Sequence, residues 1–252
     1  MLTQPSIQQL KALKLEGMAQ ALQDQLEHGQ ARDLSFEERL GLLIDREVSA
    51  RDNKTFKRRL TNAKLKQNAT LEDVDHQHPR GLDARLLRSL ADCAWIGEHR
   101  NVIVTGPTGV GKTYLGCALA HQACRKGFTA LYAQTGRLLQ ELSLAKGDGR
   151  YLKLLAAIAR TNVLILDDWG LDAPSAEGRR ILLEVLDDRY ERGSTIITSQ
   201  FPTELWHENL GDPTLADAIL DRVLHDAYRI ALKGESLRRK GKKLTAAKTG
   251  ES

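Results

Sequence analysis

The segment NVIVTGPTGVGKTYLGCALA constrains this chain more than any other, because an apolar run, a glycine-rich loop and a helix-forming stretch follow one another directly. The loop matches G-x-x-x-x-G-K-T at Gly106, Gly111, Lys112 and Thr113. A loop of this kind brings several backbone N–H groups onto one phosphate. Side chains would block the approach, and Gly106, Gly109 and Gly111 remove them. The helix that follows points its positive end at the same oxygens. Lys112 supplies charge for the β- and γ-phosphates, and Thr113 offers a hydroxyl to Mg²⁺. The expected cofactors are therefore ATP and Mg²⁺. Nucleotide contacts are expected from Gly106, Pro107, Thr108, Gly109, Val110, Gly111, Lys112, Thr113 and Tyr114.

A second element, VLILDDWG, reads as a buried strand with Asp167 and Asp168 at its C-terminal end, the end at which open α/β sheets bind ligands. Asp167 suits a metal role with Thr113, and Asp168 suits orienting an attacking water or taking its proton. A small-molecule kinase does not need the second carboxylate, so the pair points to hydrolysis.

Apolar runs at Val102–Thr105, Thr129–Ala133, Val163–Leu166 and Thr195–Thr198 alternate with helical segments, which predicts a parallel sheet with crossover helices. The first third reads differently. Ile7, Leu10, Leu13, Met18, Leu22 and Leu26 recur at helical spacing. Ser35 and Glu38 form a capping box ahead of a stripe of Phe36, Leu40, Leu43, Ile44 and Val48. The expected fold class is thus α/β, a P-loop three-layer fold with a parallel central sheet, preceded by a small all-helical domain. The expected boundaries are a helical domain over 1–66, a polar linker over 67–81, the ATPase domain over 82–240 with a short C-terminal helical segment, and a disordered basic tail over 241–252.

The formal net charge is only +4 but is unevenly placed. Residues 51–66 hold Arg51, Lys54, Lys57, Arg58, Arg59, Lys64 and Lys66 against the single acid Asp52. Cations recur in the tail from Lys233 to Lys248. Such clusters suit a polyanion, and Lys54, Lys57, Arg58, Arg59, Lys64 and Lys66 are the candidate contacts to duplex DNA, with Lys146 and Arg150 as weaker ones. Cys93, Cys117 and Cys124 are odd in number and lack C-x-x-C spacing, so they read as buried apolar residues. No apolar run approaches the roughly 18–20 residues of a membrane helix, and no signal-peptide core follows the N-terminus, so no membrane partner and a cytoplasmic location are expected.

Taken together, GPTGVGKTYLGCALA, VLILDDWG, SQFPTELWHENLGDPTLADAILDR, GESLRRK and LKLEGMAQAL resemble the AAA+ ATPases of the DnaA/DnaC-like branch, and within it the IstB-like helper ATPases of insertion-sequence transposition. The resemblance covers almost the whole chain. It implies an ATPase that assembles on target DNA as a homo-oligomer promoted by ATP and DNA, and recruits or stimulates a cognate transposase. The same site would serve a DnaC-like helicase loader, the alternative reading. The resemblance also implies catalytic roles for Asp168 (where Glu is usual), Gln200, Arg222 and Arg238. Gln200 or Ser199 would sense the γ-phosphate, Arg222 would be an arginine finger, and Arg238 or Arg239 would be a second sensor. From the residues alone, Arg222 reads sooner as an ordinary surface ion-pair partner.

Overall fold

The computed structural model describes residues 3–28, 33–75 and 80–237. The chain divides into two compact units, Met1–Arg58 and Arg59–Ser252.

In the first unit the periodic run from Ile7 to Leu26 is two helices, α1 (Thr3–Ala12) and α2 (Glu16–His28). Lys14 ends α1 in the left-handed region (φ 60°), with Leu15 N–H donating to Leu10 O and Lys14 N–H to Lys11 O, both at 2.9 Å. This is the Schellman arrangement with lysine where glycine is usual. Helix α3 (Phe36–Ala63) starts at the expected capping box: Ser35 N–H donates to Glu38 Oε2 at 2.8 Å, and Glu38 N–H to Ser35 Oγ at 3.3 Å. Gly17 lets α2 meet α3 backbone to backbone, since a Cβ there would lie 2.7 Å from Arg46 O. Buried Glu47 caps the start of α2 through Met18 N–H, while Arg51 holds its carboxyl below the usual range. Phe36, Ile44 and Val48 of the apolar stripe are exposed.

The second unit carries α4 (Ala84–Ala91), α5 (Ala94–Gly97), β1 (Val102–Thr105), α6 (Lys112–Arg125), β2 (Ala130–Gln134), α7 (Thr135–Gly147), α8 (Tyr151–Ala159), β3 (Val163–Trp169), α9 (Ala176–Arg189), β4 (Ser194–Ser199), α10 (Trp206–Leu210), α11 (Pro213–Leu224) and β5 (Tyr228–Ala231). All pairings are parallel, in the order β2-β3-β4-β1-β5. The expected alternation of strands and helices is present. The sequence-derived strands stopped at Thr198, and β5 is additional. It is an edge strand of four residues, YRIA, in which only Ile230 is buried, and the run is too short and too broken by Arg229 to stand out as a strand.

Alternation along the strands sorts side chains to the two faces of the sheet. Ile103, Leu164, Leu166 and Ile197 join a core with Leu142 of α7, Val185 of α9 and Ile219 of α11. Ile165, Ile196 and Thr198 face α6, where Gly116 allows close approach. The result is three layers, with α6 on one side and α7, α9 and α11 on the other. Arg189 ties the first face together without an acid: it is 1% exposed and donates to the carbonyls of Ile158 and Thr161, both at 2.7 Å, and of Ser194 at 2.5 Å.

Residues 59–66, grouped with the N-terminal domain in the sequence reading, fall in the second unit. Arg59 approaches the α6–β2 turn at Gly127, and Lys66 reaches Asp167. The candidate second sensors Arg238 and Arg239, the C-terminal segment beyond 237 and the tail lie outside the described residues.

Candidate nucleotide site

The C-terminal ends of β1, β4 and β3 lie side by side in that order. They bring together the loop after Thr105, the end of β4, and the paired acids. Gly106, Gly109 and Gly111 have φ of 145°, 89° and 95°, values that favour glycine. The loop is buttressed from outside. A Cβ on Gly106 would meet Leu232 O at 2.3 Å, and one on Gly109 would meet Ser236 Oγ at 2.1 Å. Leu237 N–H also donates to Gly109 O at 3.0 Å. From behind, buried Arg80 donates to Val110 O at 3.1 Å and to Asp75 O at 3.1 Å. Arg80 lies in the segment the sequence reads as linker, and no motif signals it.

Lys112 Nζ curls into the loop, donating to Gly106 O at 2.7 Å and Pro107 O at 2.8 Å. Thr113, in the first turn of α6, donates through Oγ1 to Asp167 Oδ1 at 2.8 Å. The strand pleat explains the meeting, because Asp167 shares the α6 face with Ile165. Thr198, two residues on from Ile196, donates to the same oxygen. Tyr132 of β2 donates to Oδ2 at 2.6 Å, and Lys66 Nζ lies 3.1 Å from it. Burial alone would raise the carboxyl's pKa. The hydrogen bonds from Thr198, Tyr132, Thr113 and Lys66 outweigh burial and hold it below the ordinary value. Tyr132 is pushed up in turn, by burial first and then by its bond to Asp167.

Asp168 would normally point to the opposite face from Asp167. Instead it sits at φ 59°, where the β3–β4 register shifts between Leu166 and Trp169. This irregularity lets both carboxylates face one cation: Lys66 Nζ is 3.8 Å from Asp168 Oδ2. Gln134 Nε2 donates to that oxygen at 3.1 Å. Beside Asp168 a cavity of about 810 Å³ opens between α7 and the β3–α9 loop. Lys66, Tyr132, Gln134 and Thr198 therefore join the site without having been marked as its parts. For Tyr132, Gln134 and Thr198 the signal lies in sheet register, which no single segment displays; Lys66 lies outside the sheet, after α3.

Gln200 and Ser199 separate cleanly. Ser199 is fully buried, donates to Trp169 O at 2.8 Å and accepts from Phe201 N–H at 3.1 Å. Gln200 Oε1 accepts from Thr108 Oγ1 of the loop at 3.1 Å. Arg222 is not in this site. Its carbonyl accepts from Asn101 Nδ2 at 3.0 Å, and Asn101 immediately precedes β1. The loop lies at the other end of that strand, roughly 13 Å away at ~3.3 Å per residue. The Arg222 guanidinium pairs with Asp187 at 2.6 Å.

Lys54, Lys57, Arg58 and Lys64 are exposed. Arg59 and Lys66 are placed as described above. Lys146 pairs with Glu177 at 3.7 Å, and Arg150 with Asp148 at 2.5 Å.

Asp167, Thr113 and Thr198 present converging oxygens at the start of α6, a donor set that fits a hard divalent cation. No cluster of three His, Cys, Asp or Glu side chains exists among the described residues, so such an ion would take its other ligands from phosphate and water. Fold and site together define a P-loop ATP-binding protein with the fold of the AAA+ class. Residues 8–245 match the family described as IstB-like ATP binding protein, and the chain belongs to that family. An insertion sequence ATP-binding protein of Sinorhizobium fredii is 49% identical over 239 residues, 95% of this chain and 98% of its own length. The insertion sequence IS21 ATP-binding protein of Pseudomonas aeruginosa is 36% identical over 234 residues, 93% of this chain and 88% of that protein. Among solved structures, DnaI aligns with a TM-score of 0.57 at 24% identity over 70% of this chain and 93% of its own. AMPPCP-bound DnaA from Aquifex aeolicus aligns at 0.58 and 16% identity over 73% of this chain and 56% of its own. These two likenesses concern the fold. Among the described residues no helix is long and apolar enough to cross a membrane.

Proposed function

We propose that this protein hydrolyses ATP at the interfaces of a homo-oligomer assembled on target duplex DNA in the cytoplasm, and thereby recruits or stimulates a transposase. The observation that carries the reading is the separation of Arg222 from its own phosphate loop by the length of β1. A finger so placed serves a neighbour's nucleotide, so hydrolysis depends on assembly. Mg²⁺ would lie at Thr113 and Asp167, where it neutralises charge on the phosphates. Lys112 binds the β- and γ-phosphates after leaving the two loop carbonyls. Asp168 orients a water and accepts its proton, and Gln200 reports the γ-phosphate to the loop through Thr108. Insertion-sequence relatives support the transposition context, and exposed Lys54, Lys57 and Arg58 support phosphate contacts.

The test is complementation between subunits. Arg222→Ala and Lys112→Ala should each lose hydrolysis alone, and a mixture should recover part of it, because a mixed interface pairs an intact loop with an intact finger. No recovery at any ratio, in oligomers shown to exchange subunits, overturns the reading.

A further inference from the structure

Lys66 was grouped by sequence with the DNA-facing cations, yet its ammonium sits in the nucleotide site. It lies 3.1 Å from Asp167 Oδ2, 3.8 Å from Asp168 Oδ2 and 5.9 Å from the centre of the Tyr132 ring. We propose that Lys66 is an internal cation of this site that competes with the divalent metal for the Asp167–Asp168 pair, and so sets the metal concentration at which nucleotide is held. The inference rests on the reading that Thr113 and Asp167 hold that metal.

The case is one of coordination. The Asp167 carboxylate is fully buried and receives four donors: Thr113 and Thr198 on Oδ1, and Tyr132 and Lys66 on Oδ2. Four is about the capacity of a carboxylate. A metal ion, or a water bound to it, needs one of these positions, so one donor has to leave. Thr113 would itself be a ligand, and Thr198 belongs to a central strand. Tyr132 is anchored in β2. Lys66 is the mobile one: its side chain is 45% exposed, on a flexible stem that starts outside any helix or strand. An ammonium and a divalent ion would also repel at this spacing. Without either cation, the buried carboxylate would keep its three hydroxyl donors but no counter-charge, which is unfavourable. The lysine therefore places a positive charge beside the acid until the metal arrives, at the cost of competing with it.

The backbone around Lys66 stays tied down during such an exchange. Ala69 and Val74 are buried, and Glu72 accepts from Arg125 of α6 at 2.5 Å. Only the side chain has to swing towards solvent.

The experiment is a Mg²⁺ titration of a fluorescent ADP analogue bound to the full chain, comparing wild type, Lys66→Met, Lys66→Arg and Asp167→Asn. Lys66→Met should lower the Mg²⁺ midpoint about two- to five-fold, because a competing ion pair with a half-exposed lysine is gone. Lys66→Arg, which retains the charge, should stay near wild type. A Lys66→Met midpoint that is unchanged or raised overturns the proposal. Asp167→Asn should lose the Mg²⁺ dependence. If it keeps the wild-type midpoint, the metal reading of the site fails first and the inference with it, an outcome distinct from an inert Lys66.

Discussion

The hydroxyl of Thr113 donates to Oδ1 of Asp167 across 2.8 Å, joining the first turn of α6 to a strand residue 54 positions further along the chain. The phosphate loop and the acid pair are thus directly linked, and each part has its own expected failure.

Lys112→Ala should weaken ATP binding by about 10- to 100-fold, the loss of one charge-assisted contact to phosphate. Filter binding or analogue fluorescence measures it. Affinity within two-fold of wild type would remove Lys112 from phosphate recognition.

Asp168→Asn should leave ATP affinity within about three-fold and slow hydrolysis by about 100-fold or more. Asparagine tolerates the left-handed backbone found at φ 59°, so the local geometry should persist while the proton acceptor is lost. Phosphate release with saturating ATP reports the rate, and a wild-type rate excludes Asp168 as the base.

Lys57, Arg58 and Arg59 replaced together by Ala should weaken duplex DNA binding on any sequence and flatten its salt dependence. Each lost phosphate contact should change the slope of log affinity against log salt by about 0.9. ATP affinity should not change. An unaltered slope would assign α3 to protein docking and favour the helicase-loader alternative.

Arg189→Met should destabilise the second unit by about 3 kcal/mol or more, because the carbonyls of Thr161, Ser194 and Ile158 would lose their buried guanidinium donor, with Ile158 O keeping a bond from Thr161 N–H. Urea denaturation followed by circular dichroism tests this. A loss under ~1 kcal/mol would mean that water replaces the guanidinium.

Much of this was legible in the chain itself. The loop, the acid strand and the Ser35–Glu38 cap all depend on neighbours in sequence, and each is formed. What escaped depends on neighbours in space. Tyr132 reaches Asp167 only because β2 pairs with β3 in a register that sets Tyr132 opposite Ile165. Lys66 read as one more cation in a basic run because nothing around it indicates an acid so far along the chain. Strand β5 escaped for another reason: at the sheet edge, Tyr228, Arg229 and Ala231 need not be apolar. The apolar positions at Phe36, Ile44 and Val48 show the converse, since helical periodicity marks a face without saying that it is covered.

The contacts of Gly106 with Leu232 and of Gly109 with Ser236 bear on how relatives of this chain should be recognised. Both glycines are constrained by the chain's own packing, Gly106 against a backbone carbonyl and Gly109 against the Ser236 side chain, whatever lies on the other side of the loop. A descendant that had abandoned nucleotide altogether would still be obliged to keep them, and would go on resembling an ATPase by its glycines. The more diagnostic letter is Lys112, because Thr113 and Asp167 are bound to each other, and Asp167 to Thr198 and Tyr132, whatever occupies the loop.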